Sequence, residues 1–171
     1  MPLRFEKKLL PAVTLHDPEL AVPLAELLLE EGLDTMEVAF RTEATAEAIR
    51  AISSRFPEMN LGAGTILSPR QVEEAIGAGA RYGLAPGFNP TVLDKAEELD
   101  FPFIPGVMTP SEIEAALERN LLLQKLFPVN NLGGTDFIRS LQGPYRHTGV
   151  LFIPMGGINL SNLEEYLGYP M

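Results

Sequence analysis

The chain contains no cysteine and no tryptophan, and only two histidines, His16 and His147, among its 171 residues. The lack of cysteine excludes a disulfide framework, a thiolate metal site and a cysteine nucleophile. Two widely separated histidines do not make a multi-histidine metal centre, so no metal is expected. Positive charge is scarce too: 13 Lys and Arg stand against 23 Asp and Glu, a formal net charge of −10. A chain this acidic lacks the electrostatic footprint of a nucleic-acid binder, although a few focused cations could still hold a small anion. Long apolar runs are missing as well. The run LLPAV after Lys7 and Lys8 is interrupted by Pro11, too short for a membrane span and without a signal-peptide cleavage pattern. A soluble, cytoplasmic protein is expected, with no membrane partner.

What is present is a core. Hydrophobic residues make up 46% of the chain, which argues for one folded domain at this length. Apolar runs recur at 9–15, 35–40, 60–65, 81–86, 101–106, 121–127 and 150–155, separated by helix-like stretches such as 18–32, 43–56, 68–80 and 109–120. Ser68-Pro69 and Thr109-Pro110 place a hydroxyl N-cap before Pro at the first helical position, with Gln71 and Glu112 three residues on as in a capping box. Gly32, Gly79 and Gly168 fit helix ends. This alternation predicts an α/β fold with a parallel sheet. Polar or small residues end many of the strands (EVAFRT, GAGT, APG, IPG, KLFP, PMGG), a habit of (β/α)8 TIM barrels rather than of doubly wound sheets. Seven βα units are readable before Pro170-Met171. The expectation is therefore a single barrel domain over 1–171, cut short before its eighth βα unit.

Three strand ends carry chemistry. Lys125, one of four lysines, lies in LLLQKLFP on the same face as Leu123 and Phe127. A lysine among apolar groups is desolvated, which favours the neutral, nucleophilic amine; the alternative is a packed stem with its ammonium snorkelled to water. In MEVAFRT, alternation puts Glu37, Ala39 and Arg41 on one face. They are either a structural ion pair or an acid/base with a carboxylate clamp. GAGT sets Ala63 and Thr65 on one face of its strand. The paired Gly156 and Gly157, ahead of a helix expected near Ser161, suit a phosphate, though the pattern alone favours a plain turn. NLGG at 131–134 reads as a loop, His147 as surface, and neither histidine as catalytic. An amine, an acid/base and a carboxylate clamp are what forming and deprotonating an imine of a 2-keto acid requires.

MEVAFRTE, NLGAGTILSP, APGFNP, FPFIPGVMTPSE, QKLFP and IPMGGIN, in this order, resemble the 2-keto-3-deoxy-6-phosphogluconate (KDPG) and 4-hydroxy-2-oxoglutarate (KHG) aldolases, essentially from end to end. The resemblance implies a (β/α)8 barrel, a homotrimer, and a class I aldolase, a carbon–carbon lyase working without metal or cofactor on a small-molecule 2-keto acid. By position it implies Lys125 as the Schiff-base lysine and Glu37 as general acid/base. It further implies Arg41 and Thr65 as carboxylate binders, Phe127 as the ring beside the imine, and Gly156 and Gly157 as part of the phosphate site. Two departures stand out. Met155 occupies a place where the family generally has Thr, and a thioether cannot donate a hydrogen bond to a substrate hydroxyl. The Gly-Gly-Ser segment of the family's last strand has no counterpart here. Two rival readings stay open: a phosphate-binding barrel isomerase or decarboxylase with no covalent intermediate, and a non-catalytic barrel serving binding or oligomerisation.

Overall fold

All seven apolar runs contain strand in the computed structural model, which describes Phe5 and residues 7 to 168. The strands are β1 (Ala12–Val13), β2 (Thr35–Ala39), β3 (Asn60–Gly64), β4 (Tyr82–Leu84), β5 (Phe103–Ile104), β6 (Gly106–Val107), β7 (Leu123–Leu126) and β8 (Leu151–Pro154). The fifth run yields two of them, because Pro105 has no N–H to offer a ladder and the pairing changes there. Between the strands lie α1 (Ala21–Glu30), α2 (Thr45–Arg55), α3 (Pro69–Ala78), α4 (Pro90–Glu98), α5 (Pro110–Glu118) and α6 (Gly134–Tyr145), and α7 (Leu163–Leu167) follows β8. The expectation of a missing eighth unit concerns the chain end at Pro170 and Met171, outside the described residues. Among the described residues, no helix is long and apolar enough to cross a membrane.

The chain divides into two compact units. One comprises residues up to 85 together with 89–103; the other comprises 86–88 and the residues from 104 on. Strands β1 to β5 form one sheet in sequence order, and β6 to β8 form another. Pairing is parallel from β1 through β4 and again from β6 through β8, as an α/β fold with helical crossovers requires. In the first unit, β2 is buried along its whole length, and Met36, Val38, Ile49, Ile52, Leu61, Val72 and Leu84 fill the core around it. In the second unit, Val107, Ile113, Leu126, Val129, Ile138, Leu141 and Tyr166 belong to one apolar cluster.

The helix starts follow their sequence signals with one difference. Thr109 accepts from the N–H of Glu112, and the Glu112 carboxylate accepts in return from the N–H groups of Thr109 and Met108, each at 2.8 Å, a complete capping box. At α3, Ser68 accepts from Gln71 N–H, but the Gln71 amide oxygen reaches one residue further back, to the N–H of Leu67 at 2.8 Å. The expected reciprocal bond to the Ser68 N–H is absent among the described residues, and the Gln71 oxygen accepts instead from Leu67 N–H and, at 3.4 Å, from the Ser68 hydroxyl. Gly79 closes α3 in the left-handed conformation at φ 95°, whereas Gly168 ends α7 at φ −71°.

Candidate active site

In the first unit, the site residues gather at the C-terminal ends of β2 and β3. Glu37 is 1% exposed in the middle of β2, paired in register with Ala12 of β1 and Gly62 of β3. Space for its carboxyl comes from β3: a Cβ at Gly64 would collide with Glu37 Oε1. A Cβ at Gly62 would likewise collide with the ring of Tyr82. The glycines of NLGAG thus clear one face of a buried strand for a carboxyl and a phenol. The Tyr82 hydroxyl lies 3.2 Å from Thr35 Oγ1 and donates to the carbonyl of Met36 at 3.4 Å. Burial pushes the Tyr82 phenol up, the bond with Thr35 acts the other way, and the charge of Glu37 raises it further.

Beyond Ala39 the strand stops. Arg41 N–H turns back onto the carbonyl of Ala39 at 2.7 Å, and Phe40 N–H meets the carbonyl of Gly64 at the same distance. The turn is fastened by the Thr42 hydroxyl on the Leu15 carbonyl at 2.5 Å and the Thr45 hydroxyl on the Ala39 carbonyl at 2.9 Å. From this turn Arg41 donates through Nε to Thr65 Oγ1 at 3.3 Å and through Nη1 to Thr14 Oγ1 at 3.5 Å. Simple alternation would keep Thr65 on the face of Ala63. Instead β3 ends at Gly64, and Thr65 adopts φ 57°, a left-handed conformation that ends the period-two pattern. Strand periodicity therefore does not set the direction of Arg41 or Thr65; the turns do. Glu37, Arg41 and Thr65 all belong to this unit, and the sequence reading missed Thr14. Its only signal was a hydroxyl near the end of the 9–15 run, immediately after strand β1.

In the second unit, Lys125 is 4% exposed on β7, between Gly106 of β6 and Ile153 of β8. Its Nζ lies 5.5 Å from the centroid of the Phe127 ring, a cation–π distance, so the shared face expected for these two residues is present. That burial speaks against an ammonium snorkelled into water. The adjacent Gln124 points the other way. Its Nε2 donates to the carbonyls of Leu121 at 3.0 Å and Ile113 at 3.4 Å, while its buried Oε1 has no hydrogen-bond partner among the described residues.

The Phe127–Pro128 peptide bond is cis, and the chain then enters a 3-10 turn at Val129–Leu132. Two backbone bonds tie it to the end of β8: Val129 N–H to the Met155 carbonyl at 2.8 Å, and Asn130 N–H to the Gly156 carbonyl at 3.1 Å. Gly156 and Gly157 have φ of 92° and 78°, values that side chains disfavour. Space excludes side chains as well: a Cβ at Gly156 would stand 2.9 Å from Phe127 and Pro128, and one at Gly157 2.7 Å from Asn130. Asn130, Asn162 and Tyr166, which surround this turn, were not legible as site residues, because isolated amides and a lone phenol carry no spacing signal. His16 and His147 are exposed, and among the described residues no cluster of three or more His, Asp or Glu could hold a metal ion.

The chain matches the family model described as KDPG and KHG aldolase over residues 3–171. It is 45% identical over 163 residues to a 2-dehydro-3-deoxy-phosphogluconate aldolase of Treponema pallidum, covering 95% of this chain and 77% of the relative. It is 38% identical over 157 residues to the KHG/KDPG aldolase of Escherichia coli K12, covering 92% and 73%. Among solved structures it is similar to the KDPG aldolase of Legionella pneumophila with pyruvate captured as a covalent carbinolamine intermediate. The TM-score is 0.89 at 35% identity, covering 94% of this chain and 77% of that one. On the family model and these identities, the chain belongs to the KDPG and KHG aldolase family.

Proposed function

We propose that the protein is a class I aldolase that cleaves KDPG to pyruvate and glyceraldehyde 3-phosphate, KHG to pyruvate and glyoxylate, or both. The observation that carries this reading is the burial of Lys125 against Phe127 on β7, in a chain whose Legionella relative holds pyruvate as a covalent carbinolamine. Burial disfavours the charged ammonium and so favours the neutral amine that attacks. The amine adds to the C2 carbonyl to give a carbinolamine, which loses water to become a protonated imine. Glu37 then removes the C4 hydroxyl proton as the C3–C4 bond breaks. The electron pair of that bond moves into the iminium, and the aldehyde departs. The resulting enamine takes a proton at C3 from Glu37, and water hydrolyses the imine, releasing pyruvate and regenerating the amine.

Arg41 and Thr65 hold the pyruvyl carboxylate, for which a guanidinium and a hydroxyl are matched donors. Phe127 packs beside the imine. Gly156 and Gly157 offer backbone N–H groups to the phosphate of KDPG. Met155 lies between β8 and that turn with no donor for a substrate hydroxyl, which favours substrates with fewer hydroxyls on the aldehyde fragment. We take the fold as the family's (β/α)8 barrel, of which this chain carries seven βα units in one domain, and the assembly as a cytoplasmic homotrimer. Parallel pairing with helical crossovers and the similarity to the Legionella fold support the barrel.

Borohydride reduction in the presence of pyruvate, followed by peptide mass mapping, tests the reading. A reduced pyruvyl adduct on Lys125, lost in Lys125→Ala together with cleavage of both substrates, is the expected result. A wild-type protein that cleaves substrate without forming the adduct would overturn it.

A further inference from the structure

Two asparagines hold the carbonyls of the Gly156–Gly157 turn. Asn130, four residues after β7, donates its N–H to the carbonyl of Gly156 at 3.1 Å. Asn162, just before α7, donates its side-chain amide to the carbonyl of Gly157 at 3.0 Å. The two are joined to each other, because Asn162 Nδ2 also lies 3.4 Å from Asn130 Oδ1, which accepts in addition from the Tyr166 hydroxyl at 3.4 Å. Asn162 is itself held from behind by the N–H of Asn159, which donates to its Oδ1 at 2.8 Å.

A trans peptide group is planar, so its N–H points opposite to its carbonyl. Holding the carbonyl of Gly156 therefore aims the N–H of Gly157, and holding the carbonyl of Gly157 aims the N–H of Ile158. Consecutive glycines left to themselves would sample many conformations, and an anion binding to them would bear the entropy of ordering them. We infer that Asn130 and Asn162, steadied by Tyr166, are positioning residues that preset the Gly157 and Ile158 N–H groups to receive the phosphate of the substrate. The inference rests on the aldolase reading and assigns the preference for a phosphorylated substrate to residues outside the glycine turn itself, Asn130 acting through its backbone and Asn162 through its side chain.

The test compares a phosphorylated and an unphosphorylated substrate of the same enzyme. In Asn162→Ala, KM for KDPG rises on the order of tenfold, with kcat within about twofold. KM for KHG and the yield of pyruvate trapped on Lys125 stay as in wild type. Tyr166→Phe, which removes one hydroxyl and no backbone tie, shifts KM for KDPG in the same direction by less, and it decides the matter alone if Asn162→Ala does not fold. A rise of KM for both substrates together indicates general loosening and overturns the inference, as does an unchanged KM for KDPG in both variants. Calorimetric titration with inorganic phosphate reads the turn without catalysis: weaker binding in the variants supports the inference, equal binding overturns it. Absence of the wild-type Lys125 adduct would instead count against the aldolase reading, and phosphate affinity would then decide the inference.

Discussion

The two units accommodate polar groups in different ways. Around Glu37, room is made inside the sheet: β3 contributes hydrogen atoms at positions 62 and 64, and the carboxyl and the Tyr82 ring occupy the vacated space. Around Lys125, the one strand glycine, Gly106 of β6, makes room for the backbone of Pro86 and Gly87 rather than for a side chain, and polar groups are accommodated in the loops, where left-handed glycines and tethering asparagines shape the turn after β8. Burial differs in parallel. β2 is buried throughout, while β8 is only partly buried and Leu151 is 48% exposed. A group packed within a sheet is held by volume, and a group presented by a turn is held by hydrogen bonds. The first should respond to changes in side-chain size, the second to changes in donors and acceptors.

The largest expected effect concerns the buried carboxyl itself. Glu37→Gln keeps the shape and removes the base, so kcat should fall by about 10²–10⁴-fold while pyruvate trapping on Lys125 persists. Steady-state kinetics with parallel trapping checks this, and unchanged turnover would remove Glu37 from proton transfer.

Next in size is a test of volume against backbone. Gly64→Ala sets a methyl group against Glu37 and should cost about 1–3 kcal/mol. Adding Glu37→Ala should recover at least about 1 kcal/mol of it as a coupling energy, because the obstructing atoms are the end of a side chain. Gly156→Ala should be of similar severity but should gain nothing comparable from Phe127→Ala, since φ is 92° and the backbone of Pro128 stands 2.9 Å away. Denaturant midpoints of the two double-mutant cycles measure the contrast, and equal recovery in both would erase it.

The smallest effect separates the two helix caps. Burial pushes the Glu112 carboxyl up, but the N–H of Met108 together with the hydroxyl and N–H of Thr109 outweigh it, leaving the group below its ordinary value. A carboxyl depressed in the folded state lends stability that is fully present above its unfolded pKa near ~4.3 and is lost as pH falls through the folded value. Glu112→Gln should therefore cost about 1 kcal/mol at pH 7 and progressively less as the pH drops below 4. The uncharged Ser68–Gln71 pair should show no such dependence when Gln71 is replaced by Ala. Thermal melts across pH 3 to 7 distinguish the two caps.

Much of this architecture was legible in the sequence because it depends on local chemistry. Apolar runs between capped amphipathic stretches mark strands and helices whatever surrounds them, and a lysine inside LLLQKLFP stands out by its neighbours alone. Legibility ended where geometry departs from regular periods. Period two carried Glu37 to its face of β2, but Arg41 and Thr65 lie past the strand ends, where a tight turn and a positive φ replace alternation. Ser68 and Thr109 begin the same pattern, yet only Glu112 completes the box, a single one of its oxygens accepting from the N–H groups of both Met108 and Thr109. Asn130 meets Asn162 and Tyr166 over sequence separations of more than thirty residues, a proximity that no local pattern encodes.

The packing of Tyr82 has an optical corollary. With no tryptophan in the chain, near-ultraviolet absorption comes from four tyrosines and nine phenylalanines. Tyr82, edge-on to Phe5 and buried, cannot release its proton at the pH where a free phenol does. In strong base its phenolate band is expected to lag behind that of a free phenol and to rise as the β1–β5 unit unfolds. Because the folded phenol keeps a proton that the unfolded one gives up, alkali above a pH of about 10 erodes the stability of that unit. The same ring that fills the space beside Gly62 thus becomes an indicator whose ultraviolet band announces unfolding.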